Sequence, residues 1–235
     1  NLYFAKHNGT DDFNTPIKLN SGTQEVQGYT WSGADLTVDG SNIYVVFRSY
    51  GFETGHVYVV KSDDNGTTFG DTVRVDALNE GYGQFPDLVA YQDTVWVTYM
   101  KFDAMGHNPQ YVVARSTDGG ATFEAEADAG ALLGAEACDC CQPEIIVDAS
   151  RVILFFRNND SNIRDIKAVV SYDRGATFTD LYEVDDHNWN ISACPSTGPD
   201  ARFMGEDKML TIYKTEEGGQ SKISLQQYDL STDSP

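Results

Sequence analysis

The sequence predicts an all-β chain made of one supersecondary unit repeated about every 55 residues, as a fixed period of that size implies. First, an eight-residue pattern, S-x-D-x-G-x-T-F, occurs as SDDNGTTF from Ser62, STDGGATF from Ser116 and SYDRGATF from Ser171, with a degenerate copy, KHNGTDDF, from Lys6. Second, the aromatic residues closing these segments, Phe13, Phe69, Phe123 and Phe178, stand 56, 54 and 55 residues apart. Third, each unit places an acid (Asp35, Asp87, Glu144, Asp200) ahead of an apolar run (IYVVF, VWVTY, VILFF, MLTIY). Each run ends in a base, Arg48, Lys101, Arg157 or Lys214, 13 or 14 residues after its acid.

Short continuous apolar runs bounded by turn signals suit strands buried on both faces. The eight-residue pattern suits the hairpin turn between two such strands. Its Asp accepts from nearby backbone N–H groups, its Gly takes a positive φ, its Ser or Thr adds a local bond and its aromatic anchors the turn. The pattern resembles the Asp-box, or BNR, repeat of sialidase-like proteins, and the resemblance spans nearly the whole chain. It implies a β-propeller of four-stranded antiparallel blades with Asp-box turns, with about five blades or as part of a six-bladed ring. The Asp-boxes themselves are then structural.

With the strands of a unit lettered A to D, the Asp-box joins C to D. The chain opens on a C strand, Leu2 to Ala5, and closes after an A, B and C set near Asp229. The units of this single propeller domain fall at approximately 1–25, 26–79, 80–134, 135–190 and 191–235. Because the two ends do not complete a ring by exchange, the expectation is a longer chain or self-assembly through the incomplete terminal blades.

Composition narrows the partners. Thirty-six acidic against 16 basic residues give a net charge of -20, which repels nucleic-acid phosphates and anionic membranes. No run approaches the roughly 18 apolar residues of a membrane helix, so membrane insertion is not expected. The chain shows no leader peptide at its head and reads as a mature or truncated product, expected outside the cell, in the periplasm or on the cell surface.

In an up-and-down blade the D–A and B–C loops share one face, the front, where binding is expected over the central channel. The front collects the bases ending the B strands, Arg48, Lys101, Arg157 and Lys214, with His56, His107 and Arg164. It also collects all four cysteines: Cys138, Cys140 and Cys141 in one D–A loop and Cys194 in the next. An even count in a secreted setting favours two disulfides. The preferred pattern joins Cys194 to one of the three clustered thiols and pairs the other two. The alternatives are a copper or zinc site formed by the cysteines with His187, and free or reactive thiols; no other cofactor is expected.

The elements CDCCQP, FFRNND, NIRD, Trp189 and CPSTGP resemble one group of BNR-repeat proteins labelled sialidase-like. That resemblance goes with glycan or extracellular-ligand binding at the front. Asp35, Asp87, Glu144, Asp200, His56, His107 and Trp189 are the candidate binding residues; the four acids either pair with nearby bases and loop N–H groups or line the channel to bind a cation or serve glycoside chemistry. The resemblance also implies an alternative, a sialidase-type glycoside hydrolase in which Arg48, Arg157 and Arg164, with Arg202 as a further candidate, clamp a carboxylate and Tyr213 is the nucleophile. The arginine-isoleucine-proline element usual in sialidases is absent from this chain, and two of the four strand-ending bases are Lys. A structural module stapled by its cysteines is the third reading.

Overall fold

The computed structural model describes residues 1–10, 12–29, 32–51, 54–76, 81–133 and 136–231. Five antiparallel sheets follow one another along the chain. The first holds β1 (Tyr3–Phe4) and β2 (Ile17–Lys18). The second is β3 (Asp35–Asp39), β4 (Asn42–Arg48), β5 (Val57–Ser62) and β6 (Val73–Arg74), and the third is β7 (Tyr82–Tyr91), β8 (Thr94–Phe102), β9 (Gln110–Ser116) and β10 (Ala127–Asp128). In the fourth, β11 (Glu136–Ala137) and β12 (Glu144–Val147) both pair with β13 (Val152–Asn159), followed by β14 (Ile166–Ser171) and β15 (Asp180–Glu183). The last has three strands, β16 (Asp200–Phe203), β17 (Lys208–Glu217) and β18 (Gln220–Asp229). The chain thus begins in a C–D pair and ends in an A–B–C set, as its repeats predict, and this is the propeller blade pattern.

The four hydrophobic clusters lie between successive sheets. Alternate residues of β4 divide between two of them: Tyr44 and Val46 pack toward the third sheet, while Ile43, Val45 and Phe47 pack toward the first. On β8, Val95, Val97 and Tyr99 face back and Trp96, Met100 and Phe102 face forward. On β13 the split is Val152, Leu154 and Phe156 against Ile153 and Phe155. A strand has period two, so a run that is apolar at every position buries both faces of its sheet. In the last sheet one face stays open, with Ile212, Ile223 and Leu225 exposed.

Three Asp-boxes share one hydrogen-bond scheme. In the second, Asp118 accepts from the backbone N–H of Thr122 at 2.9 Å and from its hydroxyl at 2.5 Å, while Ser116 Oγ donates to the Asp at 2.7 Å and accepts from Gly120 N–H at 2.8 Å. Asp64 and Asp173 repeat it. These bonds hold the three carboxyls down at a pKa of about 2, the hydroxyl and backbone bonds of Thr68, Thr122 or Thr177 being the main cause. The glycine has a second role that the pattern does not disclose. A Cβ at Gly66, Gly120 or Gly175 would stand 2.6, 3.2 or 3.1 Å from Phe4, Tyr44 or Trp96 of the preceding sheet. Each box therefore clamps one sheet onto the last.

The degenerate copy differs. His7 and Phe13 form an isolated bridge, but Phe13 is 65% exposed, whereas Phe178 is 8% exposed within the core. Asp11 of this segment lies outside the described residues. Phe178→Ala should therefore lower the unfolding free energy by about 3–5 kcal/mol, and Phe13→Ala should change it by less than about 0.5 kcal/mol. Urea denaturation of the two variants, read as midpoint shifts at constant slope, checks the contrast.

Candidate functional site

The A strands β3, β7, β12 and β16 stand side by side and line an open cleft of about 400 Å³. Four of their acids meet at its mouth: Asp35, Glu144 and Asp200 at strand starts and Asp87 just past a register shift within β7 border one opening, together with the segments that precede them. Asp87 crosses between sheets, its carboxyl accepting from Leu88 N–H and from Ile145 N–H of β12, each at 2.8 Å. Asp35 caps its own strand through Leu36 N–H at 2.7 Å and lies close enough to Asp87 to act on its charge. Arg202 donates to Glu144 Oε1 at 2.5 Å and stands 3.3 Å from Asp200.

Burial, the Glu144 charge and Asp35 drive the Asp87 pKa well above the ordinary carboxylate range. Burial raises Glu144 to about 7; Arg202 opposes the rise, and Asp200 and Asp35 reinforce it. Burial and crowding favour the protonated forms of Asp87 and Glu144, so near neutrality the mouth offers carboxyl O–H donors beside one guanidinium. Arg202 is legible in the repeat: the residue two after the acid is Thr37, Val89 and Ile146 in the other units, so a cation there breaks the pattern.

Of the residues predicted to clamp and attack a sialoside, Arg202 lines the cleft and the other four lie elsewhere. Arg48 Nε and Nη2 donate to the carbonyls of Gly83 and Gly51, both at 2.6 Å. Arg157, fully buried, donates to the carbonyls of Thr197, Arg164 and Lys214 at 3.1, 2.5 and 2.7 Å, so it ties the fourth sheet to the fifth. Arg164 donates to Cys138 Sγ at 3.0 Å. Tyr213 is buried between the last two sheets, its hydroxyl bonded to Val184 O and Gln226 Oε1, and burial raises its pKa to about 12. None of these four lines the acidic cleft. The bases that end the B strands form ties between or within sheets; Lys101, for example, pairs with Glu126 at 2.8 Å.

The remaining candidates are similarly placed. His56 Nδ1 contacts Asp76 at 3.0 Å, beside Arg74. His107 is exposed, its N–H held by Asp103 at 2.8 Å. Trp189 is buried between the Arg157 guanidinium and the Lys214 ammonium, 5.2 and 5.5 Å from its ring centre.

The motif elements converge around the cysteine loop. Cys138 N–H donates to Arg157 O, Asp165 accepts from the N–H groups of Asn188 and Trp189, and Asn158 Oδ1 accepts from Asp165 N–H. Cys140 and Cys194 form a disulfide between adjacent D–A loops. Cys138 and Cys141, expected as a second bridge, are instead two buried thiols with Sγ atoms 3.2 Å apart. A Cβ on Gly198 would fall 1.9 Å from Gln142 O, so only glycine lets the CPSTGP loop seat on CDCCQP. His187 does not join the sulfurs: Cys138, Cys140 and Cys141 form one candidate ligand group, while His187 belongs to another with Asp185 and Asp186. The buried Tyr111, whose hydroxyl contacts the carbonyls of Cys138 and Cys141 at 3.2 Å each, supports the loop from the third sheet and carries no motif signal.

The BNR repeat-like domain model matches residues 43–225. The chain belongs to that family. No curated protein matches this BNR-repeat chain by sequence. Among solved structures it is similar to a Hadza microbial sialidase (13% identity, TM-score 0.55, covering 96% of this chain and 51% of that one). It is also similar to an α-L-arabinofuranosidase from Fusarium graminearum (14%, 0.57, 86% and 63%) and to an ulvan lyase of a new polysaccharide lyase family (12%, 0.60, 99% and 62%). At these identities the likeness is one of fold. The chain spans about half to two thirds of the length of these structures.

Glu144 sets a pH dependence whose sign follows from its shift. Its pKa is higher folded than unfolded, so between about pH 4.5 and 7 the folded chain binds the extra proton and stability falls as pH rises. Glu144→Gln should flatten this decline, measured as unfolding free energy at intervals from pH 4.5 to 8; an unchanged slope would remove Glu144 as its source.

Proposed function

We propose that the chain binds carbohydrate at the front mouth of its channel, over Asp35, Asp87, Glu144, Asp200 and Arg202. The observation that carries this reading is the convergence of four carboxyl groups, two of them with raised pKa values, and one arginine at an open cleft. Such a set offers both donors and acceptors to sugar hydroxyls, and a few convergent polar groups in a concave site are the usual mark of a ligand pocket. Solved structures of the same fold whose names are those of sugar- and polysaccharide-acting enzymes support the ligand class.

The ligand is an uncharged glycan rather than a sialoside. Four carboxyl groups against one arginine repel a sugar carboxylate, and the Arg48 and Arg157 guanidinium groups bind main-chain carbonyls. The Cys140–Cys194 disulfide supports an oxidising compartment, outside the cytosol. A second reading, hydrolysis, is favoured by one feature: Glu144, with its pKa near 7, shares the mouth with ionisable carboxyls, the pairing of acid and base that glycoside cleavage uses.

Neutral polysaccharides such as arabinan and xylan should be retained by the wild-type chain in affinity electrophoresis. Glu144→Gln should weaken retention about tenfold, roughly 1.4 kcal/mol. Reducing-sugar release that disappears in Glu144→Gln would establish hydrolysis. Retention of sialosides alone, or retention of neutral glycans undiminished in both Glu144→Gln and Asp87→Asn, would reject the site.

A further inference from the structure

Away from the channel mouth, four sulfurs cluster from the surface inward. Exposed Cys194 is bonded to half-buried Cys140, whose Sγ lies 3.6 Å from Cys138 Sγ, which lies 3.2 Å from Cys141 Sγ, the last three within 4.8 Å of one another. Both sides of the cluster are equipped for charge. At the inner end Arg164 donates to Cys138 Sγ at 3.0 Å, a cation placed to hold a thiolate in a site where both thiols are fully buried. At the outer end the Ser196 N–H donates to Cys194 Sγ at 3.3 Å and its hydroxyl lies 3.1 Å away, so a thiolate leaving there would be hydrogen-bonded and in contact with water. A thiolate in contact with a disulfide sulfur, next to a leaving group that water can solvate, is the arrangement that exchange requires.

We propose that Cys138 is the nucleophile of a thiol–disulfide exchange site that moves the bridge from Cys140–Cys194 to Cys138–Cys141. In the first step the Cys138 thiolate attacks Cys140 Sγ; the Cys138–Cys140 bond forms, the Cys140–Cys194 bond breaks, and the electron pair leaves on Cys194, which takes a proton from water. In the second, Cys141 attacks Cys138 Sγ as its proton passes to the leaving Cys140 thiolate, whose sulfur lies within 4.8 Å; the Cys138–Cys141 bond forms and the Cys138–Cys140 bond breaks. Two thiols and one disulfide become one disulfide and two thiols, with no external oxidant or reductant. The covalent tie between the fourth and fifth sheets is released, and a dithiol is presented near the surface. Arg164 is a positioning residue here.

The groups around the nucleophile set its pH dependence. Donation from Cys141, and then Arg164, lower the Cys138 pKa to about 7 against the effect of burial; Asp139 stands 3.9 Å from Arg164, and Arg157 and Tyr111 lie beside Cys141. Exchange should therefore accelerate as pH rises through about 7 and level off above it.

Trypsin reports the position of the bridge. The peptide Ser116–Arg151 holds Cys138, Cys140 and Cys141, and Gly175–Arg202 holds Cys194, so the starting bridge links two peptides and exchange unlinks them. The native chain, purified without reductant, is incubated with saturating iodoacetamide from pH 6 to 9, then denatured, digested and weighed. Cys194 should become carbamidomethylated over time although it begins in a disulfide, leaving Cys138–Cys141 bridged within Ser116–Arg151. Cys138→Ser should keep the peptides linked. Cys141→Ser should stop at Cys138–Cys140 with Cys194 labelled. Arg164→Met should slow labelling about tenfold and move its pH profile upward, with Arg164→Lys restoring part of the rate. Peptides that stay linked in the wild-type chain at every pH overturn the proposal. So does a native chain that already carries both bridges, or one whose thiols are held by co-purifying copper or zinc.

Discussion

The constraint on which the rest depends is that every inner sheet is buried on both faces. A sheet in this position cannot alternate apolar and polar residues, so β4, β8 and β13 carry side chains such as Tyr44, Trp96 and Leu154 on one face and Phe47, Tyr99 and Phe155 on the other. Hydrophobic burial between neighbours is then the main cohesive force, at roughly 25 cal/mol per Å² of apolar area removed from water. It is non-directional, and cannot by itself set how one sheet sits on the next. Direction comes from the edges: Asp-box glycines seated on Phe4, Tyr44 and Trp96, the Trp96 indole N–H donating to Arg174 O at 2.8 Å, and the arginines at the opposite ends of the B strands.

Those arginines show how the same constraint decides between structure and chemistry. A strand end between two sheets leaves the carbonyls of the adjoining loops partly removed from water, where an unpaired polar group is costly. Arg48 reaches Gly83 O in the next sheet and Arg157 reaches Lys214 O and Thr197 O in the next. A guanidinium with its donors on fixed carbonyls cannot close on a ligand carboxylate without breaking the tie. The acids of the channel mouth combine both roles. They border an opening to solvent, where burial and crowding raise the pKa values of Asp87 and Glu144, although Asp87 also ties β7 to β12 and Glu144 pairs with Arg202.

Much of this was legible in the sequence, and for a definite reason. The Asp-box turn is local, so its Ser, Asp, Gly and Thr report their bonds by spacing alone, and runs such as VILFF state two-sided burial directly. The acid series also shows its shared location, because equivalent residues of a repeat occupy equivalent places. What spacing does not report is which atom meets which across a sheet boundary. Phe13 matches the aromatic position but stays exposed, since the degenerate turn beneath it lacks the Ser–Asp frame. Tyr213 stands near the end of the chain, yet Val184 O and Gln226 fix it inside a sheet interface. The cysteine loop divides in the same way: its meeting with Cys194 follows from the repeat, whereas its division into one disulfide and one thiol pair depends on contacts made by Tyr111, Arg164 and Gly198.

The staple and the acidic mouth share two short stretches of chain. Glu144 follows Cys141 by three residues, and Asp200 follows Cys194 by six, so the disulfide fixes the relative positions of two loops that each deliver a carboxyl to the opening. Arg202 bridges those same two strands from inside, holding Glu144 and approaching Asp200. The fourth and fifth sheets are thus tied on both sides of the mouth, covalently in front and electrostatically within. Glu144 is the group most exposed to any change in that spacing, because its pKa reflects an opposition between burial and Arg202. Loss of the covalent tie would leave the electrostatic one to set the separation, and any widening would weaken the guanidinium's hold and favour the protonated acid. The chemistry at the mouth therefore depends on sulfurs that never touch it.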